Sequence, residues 1–254
     1  MSGFHIAPRR VLNDHDVPLE SLESRLARID WSQIRANLDA RGYATTTPIL
    51  SSAECAEVIA LYEDRARFRS KVEMARHGFG IGEYKYFASP LPTLVATLRE
   101  VLYPRVAAIA NDWMAALRLA EQFPLDLETF LERCHREGQR KPTPLTLRYE
   151  AGGYNCLHQD LYGEIVFPLQ FTFMLSRPGE DFGGGEFLLM EQRPRAQSRG
   201  DAIHLANGEA IVFATRYRPV RGTRGYYRVN VKHGVATVEH GRRFTLGIIF
   251  HDAK

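Results

Sequence analysis

His158 and Asp160 stand two residues apart, and His233 follows 75 positions after the first of them, beside another strand-like stretch. On an extended segment alternate side chains share a face, so an imidazole at 158 and a carboxylate at 160 can grip one ion together. Two imidazoles and one carboxylate on one face of an octahedron leave three adjacent positions open. A non-haem Fe(II) oxygenase needs that arrangement, because a substrate acid and O2 must both coordinate. Both imidazoles must be neutral and Asp160 ionised, so metal binding should fail in acid. His-x-Asp is weak by itself: a surface His158 and a hydrogen-bonded core His233 would serve a fold equally well. The tail after His233 strengthens it. Arg243, ten positions later on what should be the next inward strand, offers a guanidinium fork suited to a carboxylate in a partly dry pocket. Thr245 is two residues on and shares its face.

A β-rich frame has to hold these side chains, and the texture of the chain supplies one. After Gly138-Gln139-Arg140-Lys141-Pro142 come short β-type runs bounded by Gly and Pro: Leu145–Tyr149, Val166–Leu175, Glu186–Glu191, Ala202–Leu205, Ala210–Ala214, Tyr226–Val231, Ala236–Glu239 and Arg243–Phe250. Strands so closely spaced predict a sandwich or jelly roll. The earlier half is mainly helical. Leu22, Leu26, Ile29, Ile34 and Leu38 recur at helical spacing, and Gly42 offers a stop. Tyr43–Leu50 alternates like a strand, and Ser51-Ser52 should cap a helix whose buried stripe is Cys55, Val58, Ile59 and Tyr62. Leu94–Leu119 reads as helix, with Pro104 expected to break or kink it, and Leu125–Cys134 as a further short helix. The Gly-punctuated, aromatic stretch Gly78–Phe87 is a turn feeding a strand or a mobile loop. Asp181–Gly185 is a tight β-turn, and residues 1–20, without a clean period, an irregular arm. The expected class is α+β: one domain over 21–254, with mainly helical support at 21–141 and a jelly-roll core at 142–252.

At 254 residues, with 44% hydrophobic and 25% charged, the chain can bury a real core and is not disordered as a whole. Apolar stretches such as Ile165–Leu175 stop well short of the roughly 20 residues a membrane span needs. The opening MSGFHIAPRRVLNDHD lacks the apolar core of a secretory signal, so the cytoplasm is the expected location. Cys55, Cys134 and Cys156, odd in number and unrelated in spacing, read as reduced thiols. The net charge of +3 hides a basic segment: from Arg193 to Lys232, nine Lys and Arg face only Asp201 and Glu209. Within it, Arg216, Arg218, Arg221, Arg224 and Arg228 are interleaved with Tyr217, Tyr226 and Tyr227. That composition suits single-stranded or damaged nucleic acid, arginine on phosphate and tyrosine on base; equally, it is a solvated loop leading into the strand of His233. Its closeness in sequence to His233 lets the loop face substrate. His204, His240 and His251 have no spaced partners and read as structural or exposed.

Four motifs together resemble a known group: His158-x-Asp160, then Asp181-Phe182-Gly183-Gly184-Gly185-Glu186, then Gly208-Glu209-Ala210-Ile211-Val212-Phe213, then His233 followed by Val235, Val238, Gly241, Arg243, Thr245 and Leu246. Over about residues 142–252 they resemble the Fe(II)/2-oxoglutarate dioxygenases of the prolyl-hydroxylase-like and AlkB-like branch. With Gly82-Glu83-Tyr84-Lys85-Tyr86-Phe87, the chain is similar to a bacterial family of oxygenases described as acting on damaged nucleic acid. The resemblance implies a double-stranded β-helix, iron held by His158, Asp160 and His233, and 2-oxoglutarate and O2 as co-substrates. It implies that Arg243 binds the distal carboxylate of 2-oxoglutarate with Thr245, and that Tyr149 lies where related enzymes place a co-substrate tyrosine. Leu147 departs from the AlkB pattern, which has asparagine there. The reaction implied is hydroxylation or oxidative demethylation of alkylated nucleic acid, releasing succinate and CO2. The same iron chemistry would also serve hydroxylation of a protein, peptide or free amino acid. A binding module with a vestigial triad is the non-enzymatic reading, against which the intact Arg243 and Thr245 stand.

Overall fold

The computed structural model describes residues 21–160 and 163–254; the arm expected over 1–20 lies outside the described residues. Helices α1 (Leu22–Ala27) and α2 (Trp31–Arg41) divide the helix expected from Leu22 to Leu38. Asp30 causes the break, its side chain accepting from Gln33 N as an N-cap. Gly42 ends α2 in the left-handed conformation, as its position implied. Strand β1 is only Tyr43–Thr45, and α3 (Ser52–Leu61) starts from a full capping box between Ser51 and Glu54. Strands β2 (Phe68–Glu73), β3 (Gly80–Ile81) and β4 (Glu83–Phe87) follow, so the Gly78–Phe87 stretch is a turn feeding strands.

Helix α4 (Thr93–Ala116) runs unbroken through Pro104. Proline removes one backbone donor, but here it sits on the exposed side, while Val95, Leu98, Leu102, Val106, Ile109 and Trp113 bury the other face. The buried stripe outweighs the lost hydrogen bond. After α5 (Leu127–Arg136) the β half contains β5 (Leu145–Glu150), β6 (Tyr154–His158), β7 (Leu169–Met174), β8 (Phe182–Gly184), β9 (Phe187–Gln192), β10 (Arg199–Ile203), β11 (Ala210–Ala214), β12 (Tyr217–Gly222), β13 (Gly225–Val235) and β14 (Val238–Ile248). Asp181–Gly185, expected as a turn alone, contributes β8, which pairs with the start of β14.

One sheet has the order β1-β11-β7-β14-β5-β4-β2, with β8 against β14; the other runs β10-β9-β13-β6-β3, with β12 against β13. The two face each other as a jelly roll. Alternation along β14 sends Leu246 and Ile248 to the helix side, and Arg243, Thr245, Gly247 and Ile249 into the space between the sheets. Tyr62, at the end of α3, packs on Phe244 at 5.3 Å between ring centroids. From α4, Tyr103 joins Phe123, Phe130, Phe167 and Phe250 in one aromatic cluster. The helices thus back the sheet that carries Arg243. No described helix is long and apolar enough to cross a membrane.

One partner expectation is overturned. Arg218 is 2% exposed; its guanidinium donates to Glu191 Oε2 at 2.9 and 2.5 Å and to the carbonyls of Asp39 and Ala40. It fastens the end of α2 to the minor sheet and is not available to a phosphate. Removing one partner of a buried pair leaves the other charge stranded, at a cost of about 3–5 kcal/mol. Arg218→Ala should therefore lose roughly that much stability in urea unfolding, whereas Arg221→Ala and Arg224→Ala, at exposed positions, should stay within about 0.5 kcal/mol of wild type.

Candidate metal centre and co-substrate pocket

His158 closes β6 and His233 lies near the end of β13, directly opposite it in the antiparallel register. Cross-strand neighbours share a face, so the two imidazoles meet with ring centroids 4.2 Å apart. Asp160 follows His158 by two residues, as the spacing required, and completes the group. Its Oδ1 is 3.4 Å from His158 Nε2, its Oδ2 is 3.4 Å from His233 Nε2, and the three donor atoms all fall within 4.8 Å of one another. His158 Nδ1 lies 2.8 Å from the carbonyl of Cys156. Donation to that carbonyl fixes the tautomer and leaves Nε2 as the ligand atom. Phe187 stacks parallel to the His233 ring at 5.9 Å, and Phe213 tilts against it at 4.6 Å. Just beyond Asp160, Gln139 Oε1 accepts from Glu164 N and Ile165 N while its Nε2 donates to the carbonyls of Ile165 and Asp252. That clamp anchors the chain leaving the carboxylate.

Beside the triad is a cavity of about 390 Å³, within the range of roughly 300–1,000 Å³ usual for ligand sites. Arg243, Thr245, Tyr149 and Leu147 line it, as do Tyr84, Leu145, Ile249, Gln170 and Thr172 from the same sheet. Arg243 pairs with Tyr149 across the strands, and its Cζ sits 5.6 Å from the Tyr149 ring centre. Two glycines make room. At Gly185 (φ +65°) a Cβ would stand 3.0 Å from Arg243 Cδ, and at Gly82 (φ +151°) one would stand 2.7 Å from Tyr149 Cδ1.

The donors fit an iron and a keto acid on the protein's own terms. Arg243 is fully buried, and Nε, Nη1 and Nη2 have no hydrogen-bond partner among the described residues. Burial pulls its pKa down to about 10, against the partial support of Tyr149 and Glu186. A buried guanidinium left with open donors is expensive unless an anion completes it. Asp160 is also poised: burial would raise its pKa, but the imidazoles of His233 and His158 hold it well below the usual range. Burial pulls His158 down, yet the Asp160 hydrogen bond and charge outweigh it and the pKa ends raised, whereas His233 is lowered by burial and by His158.

These shifts give a sign for metal uptake. In the metal-free protein the raised His158 contributes stability below its ordinary 6.5, lost as pH rises through the folded value. The lowered Asp160 contributes above its ordinary 3.8, lost as pH falls through its folded value. The pair is worth most between those values, and a metal must displace the proton on His158. Co(II) affinity should therefore climb with pH, by up to tenfold per unit, and level off only above the raised value of His158, with about one proton released; a flat profile in a buffered titration would contradict this.

The structure brings together all the residues expected for the site, His158, Asp160, His233, Arg243, Thr245 and Tyr149. Arg216, Arg221, Arg224 and Arg228 are exposed, but none lines the cavity, and alternation on β13 puts Arg228 on the face opposite His233. On β12 and β13 the exposed arginines turn away from the cavity. His251 is buried, its Nδ1 3.2 Å from Phe167 N, with burial and Arg99 pushing its pKa down to about 4; His204 and His240 are exposed. Gln170 escaped the sequence reading, although a lone glutamine between Leu169 and Phe171 in an apolar run was a usable sign.

Residues 82–253 match a family described as an oxygenase catalysing oxidative methylation of damaged DNA. An uncharacterized protein of Mycobacterium tuberculosis is 49% identical over 167 residues, 66% of this chain and 72% of its own length. A prolyl-4-hydroxylase from Pseudomonas putida superposes with a TM-score of 0.53 at 13% identity, covering 88% of this chain and 100% of that one. An oxidoreductase of the 2OG-Fe(II) oxygenase family from Burkholderia pseudomallei gives 0.53 at 16% identity, over 88% and 93%. At such identities the likeness is one of fold, and the fold is that of the 2-oxoglutarate oxygenases.

Proposed function

Since the chain belongs to this family of oxygenases, we propose that it uses Fe(II), 2-oxoglutarate and O2 to oxidise a C–H bond, its preferred target an N-alkyl group on damaged nucleic acid. The observation that carries the chemistry is the convergence of His158, Asp160 and His233 beside the buried guanidinium of Arg243, which has no partner among the described residues. Bound iron and keto acid supply the oxidation: one atom of O2 goes into succinate as CO2 leaves, and the other into the substrate C–H bond. The protein's residues do the rest. His158, Asp160 and His233 would hold the metal. Arg243, with Thr245 on its face and Tyr149 opposite, takes the distal carboxylate and so fixes which end of the keto acid faces the triad. Leu145, Leu147 and Ile249 keep that end of the cavity apolar and dry. Hydroxylation of an N-methyl carbon gives a hemiaminal, which loses formaldehyde and returns the N–H.

Two features support a nucleobase as the group presented to the metal. One is the family description. The other is the cavity mouth, lined by the exposed Leu157 and by Phe79, which is 47% exposed and stacked on His77 at 5.3 Å. An exposed aromatic ring beside the opening suits the face of an unpaired base. The competing reading is hydroxylation of a peptide or amino acid, favoured by the absence of any Lys or Arg except Arg243 from the described cavity lining. Formaldehyde release across a panel of methylated oligonucleotides, run beside a mass screen of peptides and amino acids, separates them. Formaldehyde from an oligonucleotide supports the first; a peptide gaining one oxygen, with every oligonucleotide inert, establishes the second. Oligonucleotide binding that falls steeply with salt, with a shallower slope after Arg221→Ala, Arg224→Ala and Arg228→Ala, would support phosphate contacts at those exposed arginines.

A further inference from the structure

Gln159 stands between two of the candidate metal ligands and lines the cavity. Its amide is held by the minor sheet. His233 pairs with Leu189 of β9 and with His158 of β6, while Asn230 pairs with Gln192 of β9 and with Tyr217 of β12. Strands β6 and β12 therefore lie end to end along the side of β13 that β9 leaves free, and Gln159 bridges the gap between them. Its Nε2 donates to the carbonyl of Arg216 at 2.7 Å and to that of Val231 at 2.8 Å. Both amide hydrogens are thereby used, and turning the group over would set Oε1 against two carbonyl oxygens. The orientation is fixed. The hydrogen bonding left to the side chain is acceptance at Oε1, which has no partner among the described residues.

From the facing sheet, Gln170 brings a second such oxygen. Its Nε2 donates to Asp160 at 2.8 Å, and its Oε1 is buried with no partner among the described residues. The hydroxyls of Tyr84 and Thr172, also in the lining, can turn either way, but the two amide oxygens only accept. A substrate edge bearing N–H is matched there, whereas an edge bearing a carbonyl sets oxygen against oxygen. We propose that Gln159 is a specificity-determining residue, its Oε1 accepting an N–H from the base presented to the metal, so that an amino edge is taken and a carbonyl edge refused. This rests on the nucleobase reading above and deepens it. A strand tie alone would act on every substrate alike; an acceptor distinguishes one edge from another.

The test measures formaldehyde release by the full chain, with Fe(II) and 2-oxoglutarate, from 3-methylcytosine and 3-methyluracil in one oligonucleotide sequence. These bases differ in carrying an amino group or a carbonyl beside the methylated nitrogen. Wild type should favour 3-methylcytosine by at least about tenfold in kcat/KM, and Gln159→Met should lower that ratio by about 10–100-fold, the effect of one unmatched acceptor. The charge on 3-methylcytosine biases wild type and Gln159→Met alike, so the change in ratio isolates the oxygen. Gln159→Glu breaks the strand tie as well but keeps an acceptor, and should retain the preference. A ratio in Gln159→Met within twofold of wild type, both substrates falling together, would overturn the proposal, as would a wild type that favours 3-methyluracil. Wild type that oxidises no methylated oligonucleotide would instead overturn the nucleobase reading itself, so the two failures are distinguishable.

Discussion

In the His158→Ala protein, succinate formation that depends on iron and 2-oxoglutarate should fall below detection, and Co(II) affinity should drop by at least about 100-fold, while the fold survives. His158 is the better position for this test than His233. The His233 ring is buried against Phe187 and Phe213, so truncating it also opens a cavity, and large-to-small changes in such places cost roughly 2–5 kcal/mol. The side chain of His158 is 35% exposed, and its removal leaves a space that water can enter. The metal-free protein does lose the cation that Asp160 leans on. That loss should be modest and largest at mildly acidic pH, where His158 carries its proton and Asp160 remains ionised. The discriminating pair of measurements is thus a melting curve near wild type beside absent turnover. Turnover at the wild-type rate would end the assignment of the triad.

What the sequence made legible follows from how local each signal is. A capping box needs only Ser51 and Glu54, and the end of α2 needs only Gly42, so both were readable from a few residues. The shared face of His158 and Asp160, and of Arg243 and Thr245, follows from two-residue spacing alone. Elements whose existence depends on distant partners were not legible. Strand β6 follows two glycines and shows no burial alternation, because it borders the cavity mouth and is held by β3 and β13. Strand β12 contains Pro219 and read as loop. It pairs with β13 alone, so the missing donor costs no second ladder. Arg218 was read as a surface cation because sequence shows neither Glu191 nor the carbonyls of Asp39 and Ala40 closing around it. Gln170 was hidden for the same reason: its meaning lies in Asp160, ten residues earlier in the chain but across the cavity wall.

Replacing Arg243 by methionine should weaken 2-oxoglutarate by about 100- to 10,000-fold while leaving Co(II) affinity within about threefold of wild type. Two charge-assisted hydrogen bonds to a carboxylate contribute about 3–6 kcal/mol together, and each 1.4 kcal/mol is a factor of ten. The triad does not depend on the guanidinium, since no hydrogen bond joins them, so metal and keto acid should separate cleanly. Stability should move the other way. Three buried nitrogens without partners among the described residues make Arg243 a liability in the ligand-free protein, and methionine fills the space without a charge to desolvate. The metal-free Arg243→Met protein should therefore melt at or above wild type. Adding 2-oxoglutarate or glutarate, which share the distal carboxylate, should raise the melting temperature of wild type but not of the variant. The stabilisation approaches about 2.7 kcal/mol at a ligand concentration of 100 Kd. Arg243→Lys should recover only part of the affinity, because an ammonium is a single point charge and cannot present the two parallel donors of the fork. If Arg243→Met lost metal and keto acid equally, or melted well below wild type, the side chain would be holding the fold and not the co-substrate.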